Sequence, residues 1–180
     1  MEVNCIEDLD VEIVKFKQGN HTLSYQIGPT FFTLFPESQI SHAQFDAEIQ
    51  FEKKSGTLNF HFLIKGSMQL ECDRCLETLS YPTTQDFTLL VKISSEPGEE
   101  EEHLTYIYPG ETHFGLAKYI YEMIHLSIPL RKSCEDVSAT CNQDMIQFLE
   151  KNSSAHAVKD EKLQNNPEFD KLKNLFNKDS

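Results

Sequence analysis

The chain has 180 residues, 39% hydrophobic and 25% charged, with a formal net charge of −13. Such a length supports one core with a short appendage, and the composition is too apolar for a wholly disordered chain. The acidic balance opposes loose binding to nucleic acid or anionic lipid, which needs clustered Lys and Arg, and favours basic partners.

The first two-thirds reads as antiparallel sheet, because short alternating segments are separated by turn-forming clusters. In "DVEIVKF" Val11 and Ile13 alternate with Glu12, "QGN" supplies a turn, and "TLSYQI" sets Leu23, Tyr25 and Ile27 on one face, which predicts a hairpin. "FDAEIQF" then places Phe45, Ala47, Ile49 and Phe51 opposite Asp46, Glu48 and Gln50, ahead of the turn "KKSG". Beyond that turn the apolar residues fall at even positions: Leu58, Phe60, Phe62, Ile64, Met68, Leu70 and Cys72, with Gly66 among them. This parity points Cys72 to the buried side of a strand bent or bulged at the glycine. "DFTLLVKI" predicts a further strand with Phe87, Leu89, Val91 and Ile93 in register, and Pro82 separates it from the cysteines.

The glutamate-rich stretch "SSEPGEEEEH", residues 94 to 103, reads as a solvated loop, since its like charges repel. "LTYIY" at 104 to 108 predicts a short strand ended by Pro109 and Gly110. Thr112 is placed to cap a helix over about 113 to 126, with Leu116, Ile120, Met123 and Ile124 as its core stripe. Pro129 ends that pattern; Asn142 then resembles a second cap, with Met145, Ile146 and Leu149 on one face and Cys141 just before the start. "NSSAHAVKDEKLQNN" has little periodicity and predicts a linker. In "NPEFDKLKNLF", Asn166 suits a cap, Pro167 the first helical position, and Phe169, Leu172, Leu175 and Phe176 face one way. Such a helix either docks on the body or engages a partner.

Together these elements predict an α+β fold: mainly antiparallel β-sheet or a partly closed barrel, with one long helix and a C-terminal helical segment. The expected division is a single α+β domain over 1–151, a linker over 152–165 and an amphipathic helix over 166–180. The acid is unevenly spread, with 10 Lys/Arg against 23 Asp/Glu in residues 1 to 149 and 6 against 6 in residues 150 to 180.

No apolar run approaches a membrane span, and "MEVNCIEDLD" lacks the basic and greasy segments of a signal peptide, so a cytoplasmic protein is expected. Five cysteines, an odd number without export features, fit a reducing compartment. "CDRC" has the C-x2-C spacing that brings two thiolates to one ion, and Cys134 with Cys141 supply a second pair. The pattern C-x2-C-x58-C-x6-C over Cys72, Cys75, Cys134 and Cys141 predicts a zinc site fastening the sheet to the segment after the long helix, with both later cysteines accessible in a polar irregular stretch.

Two other readings stand beside it. Cys72 is a core residue at a strand end and the remaining cysteines are plain thiols, or Cys72 and Cys75 form a redox dithiol. Arg74 would favour a stabilised thiolate there, whereas Glu71, Asp73 and Glu77 oppose one. Cys5 has no assigned role. The seven histidines show no catalytic spacing, and there is no G-x-S-x-G, P-loop or dinucleotide fingerprint, so neither an enzyme nor a small-molecule substrate is expected.

"ECDRCLETLSYP" resembles the C-x-R-C-L-E signature of the YceD-like family, through Cys72, Arg74, Cys75, Leu76 and Glu77. "IKGSMQLECDRC", "YIYEMIHLSIPL", "CNQDMIQFLEK" and "NPEFDKLKNL" extend the resemblance over roughly residues 40 to 176. Relatives carry a denser cysteine cluster after the apolar-Pro segment, where Cys134 and Cys141 are here more widely spaced. The resemblance implies a non-enzymatic role in ribosome biogenesis, at maturation or accumulation of large-subunit rRNA. With this charge, a basic ribosomal protein or assembly factor is the expected partner of the acidic body, with a second contact through Phe169, Leu172 and Phe176 of the terminal helix, while Arg74, Arg131 and Lys132 are the basic residues best placed for a direct contact with RNA. Direct binding to large-subunit rRNA and thiol-disulfide redox chemistry are the competing readings.

Overall fold

Residues 3, 5–96, 98, 99, 101 and 103–152 are described in the computed structural model. They fall into two compact units: one takes in residues up to 71 together with 78–132, the other 72–77 together with residues from 133 onward.

The first unit is built on a five-stranded sheet in the order β2-β3-β4-β5-β6, with β2 Gly19–Ile27, β3 Ala43–Lys54, β4 Thr57–Glu71, β5 Thr78–Ile93 and β6 Leu104–Ile107. The first four strands are antiparallel neighbours, and β6 runs parallel to β5, pairing Leu90 with Leu104 and Ile93 with Ile107. The sheet is open, so the fold is α+β with a mainly antiparallel sheet. Period-two alternation holds as expected: Phe45, Ala47, Ile49 and Phe51 on β3 and Leu58, Phe60, Phe62, Ile64, Met68 and Leu70 on β4 are buried. Phe60 lies between Phe51 and Phe114, with ring centroids 5.1 and 5.2 Å away.

A ten-residue helix, α2 (Ala117–Leu126), buries Ala117, Ile120 and Ile124, and Tyr119 reaches the rings of Phe62 and Phe114. A five-residue helix, α1 (Pro29–Thr33), buries Phe31 and Phe32. Its start follows the preference for proline at the first helical position.

Four sequence expectations change. The segment at Asp10–Glu12, β1, pairs with β7 (His113–Gly115) in a two-stranded sheet, not with β2. A 3-10 turn over Ile13–Lys15 cuts that strand short, and the Ile13 N–H donates to the Thr112 carbonyl at 2.7 Å. For the same reason Thr112 caps no helix: 113–115 is extended, and α2 starts after Leu116.

Gly66 causes no bulge, because β3 and β4 pair without interruption past it. A Cβ there would lie 2.0 Å from the Gln44 carbonyl oxygen, so the glycine permits close approach of two backbones. Pro82 sits inside β5, opposite Ser67. It is tolerated because β6 pairs only from Leu90 onward, leaving that stretch of β5 as an edge whose ladder does not need the missing N–H.

In the second unit, a 3-10 turn spans Cys134–Val137 and a helix, α3, runs over 143–152. The expected linker beyond residue 152 and the terminal helix lie outside the described residues.

Candidate metal centre

Residues 72 to 77 connect β4 to β5 and form a tight knuckle. The Leu76 N–H donates to the Cys72 carbonyl at 2.9 Å, and the Cys72 N–H donates to the Glu77 carbonyl at 2.9 Å. These two bonds fold "CDRCLE" back on itself, so both cysteine side chains turn to one side. Leu76 completes the turn in the left-handed region, at φ 60°.

The facing segment is shaped by its own caps. The Ser133 N–H donates to the Asp136 carboxylate at 2.9 Å and the Asp136 N–H to the Ser133 carbonyl at 3.1 Å, a reciprocal closure that starts the 3-10 turn with Cys134 as its first residue. Ser138, at φ 58°, ends it, and the Ala139 N–H returns to the Cys134 carbonyl at 2.8 Å. Asn142 then caps α3 as expected, its Oδ1 accepting from the N–H of Asp144 at 3.0 Å and of Met145 at 3.3 Å. Its Nδ2 donates to Glu77 Oε1 at 2.9 Å, tying the cap of α3 to the knuckle and holding Cys141 between them.

All four sulfurs of Cys72, Cys75, Cys134 and Cys141 lie within 4.8 Å of one another, and the Cys75 and Cys134 sulfurs are 3.4 Å apart. A disulfide would bring two of them to about 2.05 Å. A tetrahedron with metal–sulfur bonds of about 2.3 Å has sulfur–sulfur edges of roughly 3.8 Å, so the donor set fits one soft ion. Four protein thiolates leave no open position, which is the arrangement of a structural site, not a catalytic one.

Contrary to the accessible placement expected for both later cysteines, Cys134 is buried along with Cys72 and Cys75, while Cys141 is half-buried. A polarity reading does not see the capped turn that Cys134 begins.

Electrostatics divide the four thiols. Burial alone would push Cys72 up, but the backbone N–H groups of Cys75 and Arg74, the Cys75 thiol and the Cys134 N–H all serve its sulfur and outweigh burial, holding it down at about 6. Burial pushes Cys134 well above the ordinary thiol value, and hydrogen bonds to the Cys75, Cys141 and Cys72 thiols add to that. For Cys141 the Cys134 hydrogen bond acts downward, but burial and the Cys75 and Cys72 thiols outweigh it, so it too is raised. The surroundings thus favour the thiolate at Cys72 and the protonated thiol at Cys134 and Cys141.

Of the other expected contact residues, Arg74 is exposed and its guanidinium lies 3.8 Å from the Glu135 carboxylate. Arg131 is exposed and Lys132 half-buried, both in the sheet unit. Phe169, Leu172 and Phe176 lie outside the described residues. Sequence reading missed the Ser133–Asp136 closure and the Glu77–Asn142 bond; the S-x-x-D spacing was a visible signal for the first, and nothing local signals the second.

The family model described as Large ribosomal RNA subunit accumulation protein YceD matches residues 60–176. The chain belongs to this family. The YceD match contains all four cysteines and the knuckle, and membership supports a role in accumulation of the large ribosomal RNA subunit. No curated protein and no solved structure matches the chain. Among the described residues, no helix is long and apolar enough to cross a membrane.

Proposed function

We propose that this YceD protein is a non-enzymatic, cytoplasmic assembly factor for the large ribosomal subunit, whose cysteine unit is held in shape by one structural zinc ion and whose acidic body engages a basic ribosomal protein or assembly factor. The observation that carries the metal reading is the convergence of Cys72, Cys75, Cys134 and Cys141 within 4.8 Å. Family membership carries the process. Cys72, Cys75, Cys134 and Cys141 would hold the ion, which would supply folding free energy to the cysteine unit. Cys72 offers the first thiolate, the Ser133–Asp136 closure presents Cys134, and Asn142 with Glu77 presents Cys141.

Phe169, Leu172 and Phe176 of the terminal segment are the proposed second contact with that protein, and Arg74, Arg131 and Lys132 are the proposed contact residues for any direct approach of rRNA. A formal charge of −13 favours a protein partner over naked rRNA, whose phosphates would be repelled by the body.

The low Cys72 value favours a second reading, a thiol-disulfide redox protein using Cys72 and Cys75. Against it, Cys72 is fully enclosed, so no external disulfide reaches its sulfur without opening the unit. Turnover of a model disulfide by the freshly purified protein would establish the redox reading.

Ribosomal-particle profiles of cells depleted of the protein test the main one. Loss of large-subunit particles, restored by the wild-type chain and not by Cys72→Ser/Cys134→Ser, is expected. Normal large-subunit assembly on depletion overturns the role, and full rescue by the double variant overturns the part assigned to the metal.

A further inference from the structure

The closure of the knuckle accounts for a left-handed backbone at position 76 but not for an exposed leucine there. The Leu76 side chain is 61% exposed, and its backbone is left-handed, at φ 60°. That conformation crowds a Cβ against the following carbonyl and is the usual place of glycine, which bears no such cost. A buried leucine would recover the strain through packing, but an exposed one recovers little from its own fold. The turn is also over-determined: hydrogen bonds close it on both sides of the residue, and Cys75 immediately before it is buried. The knuckle therefore holds a strained residue rigidly and turns an apolar side chain to solvent, the condition under which strain points to a contact made elsewhere.

Its surroundings define what fits. Asp73 and Glu77 flank it in sequence, and Glu135 stands by Arg74. The described residues of this unit carry six Asp/Glu (73, 77, 135, 136, 144, 150) against Arg74 and Lys151. An apolar side chain on an acidic unit is complementary to an apolar pocket edged by Lys and Arg on a protein, and it is a poor match to a phosphate backbone.

We infer that Leu76 is the anchor by which the cysteine knuckle docks into an apolar pocket with a basic rim on a protein of the assembling large subunit. This rests on the assembly-factor reading above and adds the contact and the chemistry of its partner. The glycine variant separates the two roles of the residue. Leu76→Gly relieves the backbone and removes the anchor, so stability and association should move in opposite directions.

The test is capture of large-subunit precursor particles from cells expressing the full-length tagged chain, with thermal unfolding measured alongside. For Leu76→Gly, captured precursor is expected to fall about tenfold or more, with a melting temperature equal to or above wild type. Leu126→Ala, which trims another exposed leucine, is expected to capture as wild type does. Undiminished capture by Leu76→Gly overturns the inference, as does an equal loss in both variants. Capture by wild type that vanishes on ribonuclease treatment, leaving no basic protein bound, shows an RNA contact and overturns it too. If the wild-type chain captures no precursor at all, the assembly-factor reading itself fails, and the inference falls with it.

Discussion

In the sheet unit Phe31, Phe32, Phe45, Phe60 and Phe62 are sealed from solvent, whereas in the cysteine unit the buried described residues are Cys72, Cys75, Cys134 and Ser133. Val137, Met145 and Ile146 are only half-buried, and Phe148 and Leu149 are exposed. One unit has the apolar area that stabilises an ordinary domain. The other, among its described residues, has sulfur where a core would be. Small units with so little apolar burial generally need a metal or covalent bridges, and the cysteines here are not bridged to one another. The contrast makes the four thiols the candidate source of cohesion for the second unit, and it predicts that the two units respond to different insults.

The largest effect is expected on removing the proposed metal. A strong chelator should abolish amide protection over 143–152 while β3 and β4 stay protected, because structural zinc contributes on the order of 10 kcal/mol to the unit that holds it. Hydrogen exchange read by mass spectrometry checks this; unchanged protection of α3 after complete chelation would break the contrast.

The reverse insult is Phe62→Ala. Deleting a fully buried ring should cost about 3–5 kcal/mol of global stability by denaturant titration, with metal content unaltered. A variant that loses its metal in step with its core would show the units to be energetically inseparable.

Gly66→Ala sharpens the account of the sheet. The added Cβ would fall 2.0 Å from the Gln44 carbonyl oxygen and 2.6 Å from the Phe45 Cα, and neither backbone atom has room to retreat without breaking the ladder. About 3 kcal/mol of destabilisation is expected, at the upper end for overpacking. A melting temperature equal to wild type would contradict the close approach.

Asn142→Ala should cost about 1 kcal/mol, confined to the cysteine unit, since it deletes the cap of α3 and the bond to Glu77. Faster exchange over 143–152 and easier alkylation of Cys141 are the readouts.

The finest distinction is a single proton. Cys72, at about 6, is already ionised at pH 8, whereas the raised Cys134 and Cys141 thiols are not. Zinc uptake in weak buffer at pH 8 should therefore release fewer than four protons per ion, and metal affinity should rise with pH as proton competition at the raised thiols weakens. Release of four protons would mean that Cys72 is not preset as a thiolate.

Much of the sheet was legible because alternation is local. The even-numbered apolar run from Leu58 to Cys72 gave a strand and its inward face without knowledge of any partner, and the structure keeps both. What escaped depends on distant chain. The partner of Asp10–Glu12 is more than a hundred residues away, and α1, with Phe31 and Phe32, is too short for a periodic signal. Pro82 looked like a boundary because its missing N–H matters only where a second strand lies alongside. In the candidate site, the C-x2-C spacing named two residues and the polar irregular stretch after the long helix supplied two companions, yet C-x6-C is not a knuckle spacing. The Ser133–Asp136 closure and the αL Ser138 bring Cys134 and Cys141 to a common point over that longer interval. Strain at Leu76 was likewise invisible, since a sequence does not display φ.

The account stands or falls on metal occupancy of the cysteine unit, which native mass spectrometry of the freshly purified full-length chain measures directly. One zinc per chain is predicted in the wild type and none in Cys72→Ser/Cys134→Ser. A wild-type chain that carries no ion and has five titratable thiols, while residues 143–152 remain protected from exchange, would contradict it.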